Sequence, residues 1–157
     1  WIFSLDHCIV AGGFFRDSIY GDPTKDIDIY VTPEGKDIVL KQLRPRLSTI
    51  GPIIKRTTEE ISQYGHINLD IEEVRKLNTW HGELIDLIIT PKAISVNDIL
   101  RTFDYTVNAI GWNKEDGILC HVNSFYHLWR KVLIQLDDRS IPEYRKNYMI
   151  SKGYKEP

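Results

Sequence analysis

The run VAGGFFRDSIYGDPTKDIDIYV, from Val10 to Val31, constrains the fold more than any other part of the sequence. A short β-branched segment ends at Gly12 and Gly13, which favour a tight turn, and the residues after them read as a short helix that stops at the next glycine. The alternation of polar and apolar residues from Asp26 onward is typical of a strand. The run therefore predicts a strand, a glycine turn, a helix and a second strand in succession.

The rest of the chain carries further helix and strand patterns at ordinary spacing. ELIDLIIT, from Glu83 to Thr90, is the clearest strand in the sequence. Helical patterns follow Pro33 and Ser95 and span Ser124 to Leu136, a hairpin is predicted from Val107 to Trp112 and Ile118 to Val122, and the segment from Ile53 to Leu77, with a turn at Tyr64-Gly65, is predicted to be β-rich.

Composition indicates one compact domain that is soluble and cytoplasmic. The chain has 157 residues, of which 42% are hydrophobic and 27% charged, and no apolar run approaches the ~20 residues of a membrane span. Cys8 and Cys120 are too few for a disulfide framework and lie in strand-like apolar contexts. The net charge of -2 argues against a surface coated in positive charge for long nucleic acids. Because the chain opens at Trp1, we expect a trimmed fragment.

Asp26 and Asp28 lie two residues apart and so share one side of the predicted strand. Two carboxylates this close repel each other, and a cation between them would relieve the repulsion. Mg²⁺ prefers oxygen ligands and is commonly held by one or two carboxylates together with substrate phosphates. The other interpretation is that the pair lines the wet side of a half-exposed strand.

The glycine turn next to these acids is suited to phosphate. Gly12 and Gly13 let the backbone approach a ligand closely, and the start of the following helix offers free N–H groups and a positive dipole end. Arg16, in the first turn of that helix, would add a forked donor to the same anion. The alternative is a plain strand-to-helix turn with Arg16 on the surface.

Asp86 interrupts the apolar run LIDLII, where an unpaired carboxylate would cost several kcal/mol. Metal coordination and a salt bridge to an Arg or Lys are equally good explanations. Three carboxylates beside a phosphate-suited turn form the set that two-metal phosphoryl chemistry needs. Neither a G-x-G-x-x-G motif nor a P-loop lysine is present, and the histidines lack zinc spacing.

The segment AGGFFRDSIYGDPTKDIDIYV resembles the first motif of the class II CCA-adding enzymes and bacterial poly(A) polymerases, in the polymerase-beta nucleotidyltransferase superfamily. The motif positions are filled by Gly12, Gly13, Arg16, Asp17, Gly21, Asp26 and Asp28. FDYTVNAIGWN, from Phe103 to Asn113, is similar to a second motif of that family, with Asp104, Thr106, Asn108 and Ala109 on the matching positions. The paired arginines expected before Asp104 are Thr102 and Phe103 here, and Cys120 stands where an Asp is expected.

The resemblance implies an α+β fold, a nucleotidyltransferase head whose mixed β-sheet carries helices mainly on one face. It implies a catalytic head over residues 1–136, followed by a short helical or loose tail over residues 137–157. Asp26 and Asp28 would be Mg²⁺ ligands with Asp86 as a third candidate. Gly12, Gly13 and Arg16 would contact the triphosphate, and Asp104 and Asn108 would lie near the sugar or phosphates.

The expected activity is a template-independent, Mg²⁺-dependent transfer of a nucleoside monophosphate from an NTP, ATP or CTP, to the 3′ end of an RNA such as tRNA. Two ions are expected, with pyrophosphate as the second product. One alternative is a stand-alone nucleotidyltransferase that modifies a hydroxyl of a protein or small molecule. An alternative of another class is a non-catalytic domain that binds nucleotide or RNA in the same groove.

Overall fold

A computed structural model describes residues 1–55 and 69–157. The predicted turn at Tyr64-Gly65 lies outside the described residues. Within them, no helix combines the length and apolar character that crossing a membrane requires.

One mixed sheet of seven strands organises the described chain. The strands are β1 (Ile9–Ala11), β2 (Ile27–Val31), β3 (Leu47–Lys55), β4 (Glu73–Thr79), β5 (Leu84–Ile89), β6 (Ile110–Asn113) and β7 (Gly117–Cys120). Their spatial order is β3-β4-β5-β2-β1-β6-β7. The neighbours β2 and β5 run parallel, and all other neighbouring pairs are antiparallel.

Within residues 1–55 and 69–157, five α-helices connect and cover the strands. They are α1 (Gly13–Tyr20), α2 (Pro33–Leu43), α3 (Val96–Leu100), α4 (Ser124–Arg130) and α5 (Glu143–Ser151). The start of α2 follows from its sequence, because Pro33 is in the first turn and Gly35 donates its backbone N–H to the hydroxyl of Thr32. Ser95 and Asp98 form a reciprocal capping box at the start of α3, as the predicted N-cap at Ser95 requires.

Apolar residues on the two sides of the sheet form two separate core clusters. The larger cluster takes the alternate residues Ile27, Ile29 and Val31 of β2 and packs them against α1, α2, α4 and α5. The smaller cluster takes Tyr30 of β2 together with the buried residues of α3. Helices therefore lie mainly on one face, and the predicted α+β fold with a mixed sheet is confirmed.

The helix predicted from Ser124 to Leu136 is wrong in its second half. It ends at Arg130, because Lys131 adopts a left-handed conformation with φ 50°. The chain then runs extended, where Val132 forms a β-bridge with Lys155 and Gln135 forms one with Tyr105. A pattern of apolar spacing cannot distinguish these bridges from another turn of helix.

The C-terminal residues pack onto the rest of the chain through α5. Met149 in this helix is fully buried, and Tyr154 just beyond it is 3% exposed in the same cluster as the central strands. Lys155 exchanges backbone hydrogen bonds with Lys131 and Leu133. Helix α5 is thus anchored by apolar burial and by backbone pairing.

Truncating Met149 tests how firmly α5 is anchored. We expect Met149→Ala to lower the free energy of unfolding by about 2–4 kcal/mol, since it removes a buried side chain and leaves a cavity. Ile150→Ala is the matched control, because Ile150 is 43% exposed on the same helix, and it should cost less than ~1 kcal/mol. Urea unfolding measures both variants. Equal losses would contradict a docked α5.

Candidate active site

The register of the sheet places two of the predicted site residues side by side. Asp28 of β2 pairs with Asp86 of β5, and Asp86 in turn pairs with Lys76 of β4. On the other side of Asp28 the row continues with Ala11 and Gly111. Since paired residues project to the same side of a sheet, two carboxylates and an ammonium group lie in one row.

Gly12 brings the backbone close to this row. Its φ of 95° is a conformation that residues with a side chain rarely adopt. A Cβ atom at this position would lie 3.1 Å from the ring of Phe103 and 3.6 Å from Oδ2 of Asp28. The glycine turn is therefore needed both for its conformation and for the space beside Asp28.

A cavity of about 330 Å³ opens over the row. Its lining includes the predicted residues Gly13, Arg16, Asp26, Asp28, Asp86 and Asp104, together with Asp17, Lys25, Tyr30, Lys76, Thr102, Phe103, Tyr144, Arg145 and Tyr148. The two remaining predicted residues, Gly12 and Asn108, are not among the lining residues but contact them. The fold thus gathers the carboxylates and the glycine turn in one place.

The carboxylates in this cavity are electrostatically unfavourable to one another. Desolvation and the nearby charges of Asp26 and Asp86 raise the pKa of Asp28 to about 8. Desolvation, followed by the charge of Asp86, also raises the pKa of Asp26. The site is therefore one where bound positive charge is strongly favoured.

Part of that positive charge comes from Lys76. Its Nζ lies 2.6 Å from Oδ2 of Asp86, whose side chain is only 4% exposed. The salt bridge that the sequence left open as one explanation of Asp86 is therefore present. Arg145 also lines the cavity and donates from Nε to Oδ2 of Asp104 at 2.7 Å.

The donor set of the cavity fits a hard divalent ion. Asp26, Asp28 and Asp86 offer only oxygen ligands, and their mutual repulsion is the kind that Mg²⁺ relieves. In residues 1–55 and 69–157, no three His, Cys, Asp or Glu side chains already stand in an arrangement ready to hold a metal. Closing the three acids around an ion would require side-chain movement.

Arg16 is held in a buried network rather than on the surface. It is 3% exposed and donates from Nε and Nη2 to the two oxygens of Asp17, at 2.7 and 2.9 Å. Its Nη1 donates to Oδ1 of Asn108 at 2.6 Å, and Nδ2 of Asn108 donates to Oδ1 of Asp104 at 2.8 Å. Four residues from both predicted motifs are thus joined into one unit.

The network also fixes α5 to the cavity. Lys152 lies 3.0 Å from Asp17, and Arg145 closes the other end on Asp104. Burial raises the pKa of Asp104, but the charge of Arg145 and the hydrogen bonds from Arg145, Asn108 and the Tyr105 amide lower it on balance. Asp104 therefore orients Arg145 as a charged group at the cavity wall.

Sequence reasoning missed the cations and aromatic rings that line the cavity. Lys76, Tyr144, Arg145 and Tyr148 come from β4 and α5, which are distant in sequence from the glycine turn. Lys76 could have been predicted from its position opposite Asp86, but the sequence alone does not show that β4 pairs with β5. For α5 we find no comparable signal in the sequence.

Solved structures that share this fold are CCA-adding enzymes. A Thermotoga maritima CCA-adding enzyme complexed with tRNA superposes with a TM-score of 0.52 at 22% identity, covering 83% of this chain and 28% of that one. A tRNA nucleotidyltransferase complexed with a primer tRNA and an incoming ATP analog gives 0.56 at 18% identity, covering 83% and 35%. A CCA-adding enzyme with CTP gives 0.55 at 22%, covering 83% and 29%.

These likenesses define the class: the chain has the nucleotidyltransferase fold of the CCA-adding enzymes. The chain spans only about a third of the length of these enzymes. More specifically, the chain belongs to the Gabija anti-defense 2 (Gad2) family, whose model matches residues 2–131. No curated protein sequence matches it significantly.

The raised pKa of Asp28 predicts an unusual pH dependence of stability. Between the unfolded pKa of ~4 and the folded pKa of about 8, the folded protein keeps a proton that the unfolded chain gives up. Stability of the metal-free protein should therefore fall as pH rises through this window. In EDTA at pH 8, Asp28→Asn should raise Tm by roughly 3–8 °C and flatten the pH dependence.

Asp37→Asn is the control for this prediction, because Asp37 lies on the exposed side of α2 and the substitution removes the same charge. It should leave the pH dependence of Tm unchanged. Thermal unfolding from pH 4 to pH 9 measures all three proteins. If the Tm of the native protein and the Tm of the Asp28→Asn variant changed by the same amount between pH 5 and pH 8, the prediction would be wrong.

Proposed function

We propose that the protein is a Mg²⁺-dependent nucleotidyltransferase that transfers a nucleoside monophosphate from an NTP to a hydroxyl group. The observation that carries this proposal is the pairing of Asp28 with Asp86 beside Asp26, in a cavity that also holds Lys25, Lys76 and Arg145. Acids for a metal and cations for a triphosphate are the two sets of groups that this reaction needs.

The proposed roles follow from the position of each group. Asp26 and Asp28 hold Mg²⁺, with Asp86 as a further ligand. When bound, Mg²⁺ lowers the pKa of the attacking hydroxyl and neutralises charge on the triphosphate. Gly13 presents the start of α1 to the cavity, where backbone N–H groups face a phosphate without a side chain between them.

Other cations and aromatic rings that line the cavity would bind the rest of the nucleotide. Arg145, held by Asp104, points a fixed positive charge at the cavity. Tyr144 and Tyr148 on the same helix and Phe103 beside the glycine turn offer ring faces on which a base can stack. The cavity volume of about 330 Å³ is at the lower end of the range typical of small-molecule sites, and we propose ATP or CTP as the donor.

Two acceptors are proposed for the transferred group. One is the 3′ hydroxyl of an RNA, tRNA first, in keeping with the tRNA present in the solved structures of similar fold. The other is a hydroxyl of a protein or small molecule. Membership in the Gabija anti-defense 2 family favours the second acceptor, a hydroxyl of a protein or small molecule. The components of that defence are therefore the first candidate acceptors to assay. We propose that the reaction takes place in the cytoplasm.

A second candidate function is nucleotide binding without transfer. The observation that favours it is the ion pair between Lys76 and Asp86, which places an ammonium group on one of the three acids. A protein of this kind would hold the nucleotide by its triphosphate and leave it intact. Retention of Asp26 and Asp28 counts against it, because a binding domain gains nothing from two acids that repel each other.

A labelling experiment tests the proposed activity. The protein is incubated with each α-³²P-labelled NTP, Mg²⁺ and either total RNA or purified Gabija components. The double variant Asp26→Asn/Asp28→Asn should lose more than about 100-fold in rate, since loss of even an outer-shell partner of a metal ligand costs about 10- to 100-fold. Asp37→Asn is the charge-matched control, because Asp37 is an exposed residue of α2, and this variant should transfer label at the native rate.

The labelled product identifies the acceptor. Label on tRNA supports transfer to RNA, and label on a protein supports the second acceptor. Retention of intact NTP on the protein with no transfer to any acceptor would overturn the proposed activity in favour of binding alone. Equal labelling by the native protein and the double variant would show that the acids do not form the site.

A further inference from the structure

Lys76 occupies an unusual position for a lysine in a strand. Its Nζ lies 2.6 Å from Oδ2 of Asp86, while its own side chain is 38% exposed and that of Asp86 only 4%. The ammonium group thus reaches from the edge of the cavity onto a buried carboxylate. The carbon chain of lysine has four rotatable bonds, so the same group can move toward the cavity without moving the strand.

The charge of Lys76 acts on the whole acidic cluster. It lies in the row that runs from Lys76 through Asp86 to Asp28, and it lines the same cavity as Asp26. Desolvation dominates the pKa of both Asp26 and Asp28, and the positive charge of Lys76 opposes it at both. Lys76 is therefore a counter-ion for three acids rather than for one.

An ammonium group and a divalent ion compete for the same carboxylate oxygen. As long as Lys76 is bonded to Asp86, that oxygen is not available to a metal. A triphosphate in the cavity offers the ammonium group of Lys76 an anion in place of Asp86.

We propose that Lys76 is a resident counter-ion that is exchanged during nucleotide binding: it neutralises Asp86 in the metal-free protein and moves to the triphosphate when Mg²⁺ and NTP enter together. This inference rests on the proposed function, since it takes the acids to be a metal site and the cavity to be a triphosphate site. Lys76 thereby couples the binding of the metal to the binding of the nucleotide. The metal alone must break the ion pair between Lys76 and Asp86, whereas a nucleotide that enters with it binds the released ammonium group.

Removing the ammonium group should change the two affinities in opposite directions. We expect Lys76→Met to bind Mn²⁺ alone about 10-fold more tightly than the native protein, since its competitor at Asp86 is gone. The same variant should bind ATP or CTP about 10-fold more weakly in the presence of saturating Ca²⁺, which replaces Mg²⁺ without supporting transfer. A residue that only stabilises the strand would not produce opposite changes.

The measurement is a Mn²⁺ titration followed by electron paramagnetic resonance, with a separate nucleotide titration by calorimetry. Lys41→Met is the matched control, because Lys41 is an exposed lysine on α2 that does not line the cavity, and its loss removes the same charge. It should tighten Mn²⁺ binding by no more than about 2-fold. Lys76→Gln is a second variant that keeps a neutral hydrogen-bond donor for Asp86 if the methionine variant does not fold.

Both readouts are independent of catalysis. Tighter Mn²⁺ binding and weaker nucleotide binding in Lys76→Met or Lys76→Gln, but not in Lys41→Met, would support the exchange even if no transfer is ever detected. Unchanged or weaker Mn²⁺ binding in the Lys76 variants would overturn it, even if the native protein transfers nucleotide. Equal tightening in the Lys41 variant would also overturn it, since the effect would then be general electrostatics.

Discussion

Repulsion among three carboxylates is the constraint on which the rest of the site depends. The parallel register of β2 with β5 sets Asp28 beside Asp86, and the strand alternation adds Asp26. Such a cluster costs folding free energy unless positive charge compensates it. Lys76 supplies part of that charge within the sheet, and the proposed Mg²⁺ would supply the rest. The repulsion among these acids therefore also gives the cluster its affinity for cations.

The helix α5 forms part of the cavity wall. Met149 fixes it by apolar burial, while Arg145 and Lys152 fix it by ion pairs to Asp104 and Asp17. Arg16 lies between these two acids and uses its guanidinium to hold the network together. In this chain the arginine of the first motif therefore has a structural role that can be seen directly. Its predicted contact with a triphosphate remains a prediction.

The sequence was sufficient to predict the elements that depend on local pattern. The glycine turn, the alternation after Asp26 and the apolar run around Asp86 each carry their signal within a few residues, and the helix and the two strands that they predict are present near their expected bounds. The fold class followed from motif resemblance and is confirmed. These features could be predicted because short-range backbone preferences decide them.

What the sequence could not supply depends on pairing between distant segments. The sequence does not distinguish Lys76 from the other lysines, because only the pairing of β4 with β5 places it opposite Asp86. In the same way, nothing near Arg145 in the sequence indicates that it contacts Asp104. The predicted helical turn after Lys131 failed for the same reason, since a bridge to Lys155 replaced it. The metal roles of Asp26, Asp28 and Asp86 remain predictions that the geometry makes specific.

Crystals of the native protein grown with Mn²⁺ and a non-hydrolysable NTP would show directly whether these acids bind a metal beside the nucleotide. We expect an anomalous difference peak within ~2.2 Å of carboxylate oxygens of Asp26 and Asp28, with the triphosphate between that peak and the start of α1. A nucleotide bound elsewhere on the protein, or a triphosphate in the cavity with no peak beside these two acids, would contradict this expectation.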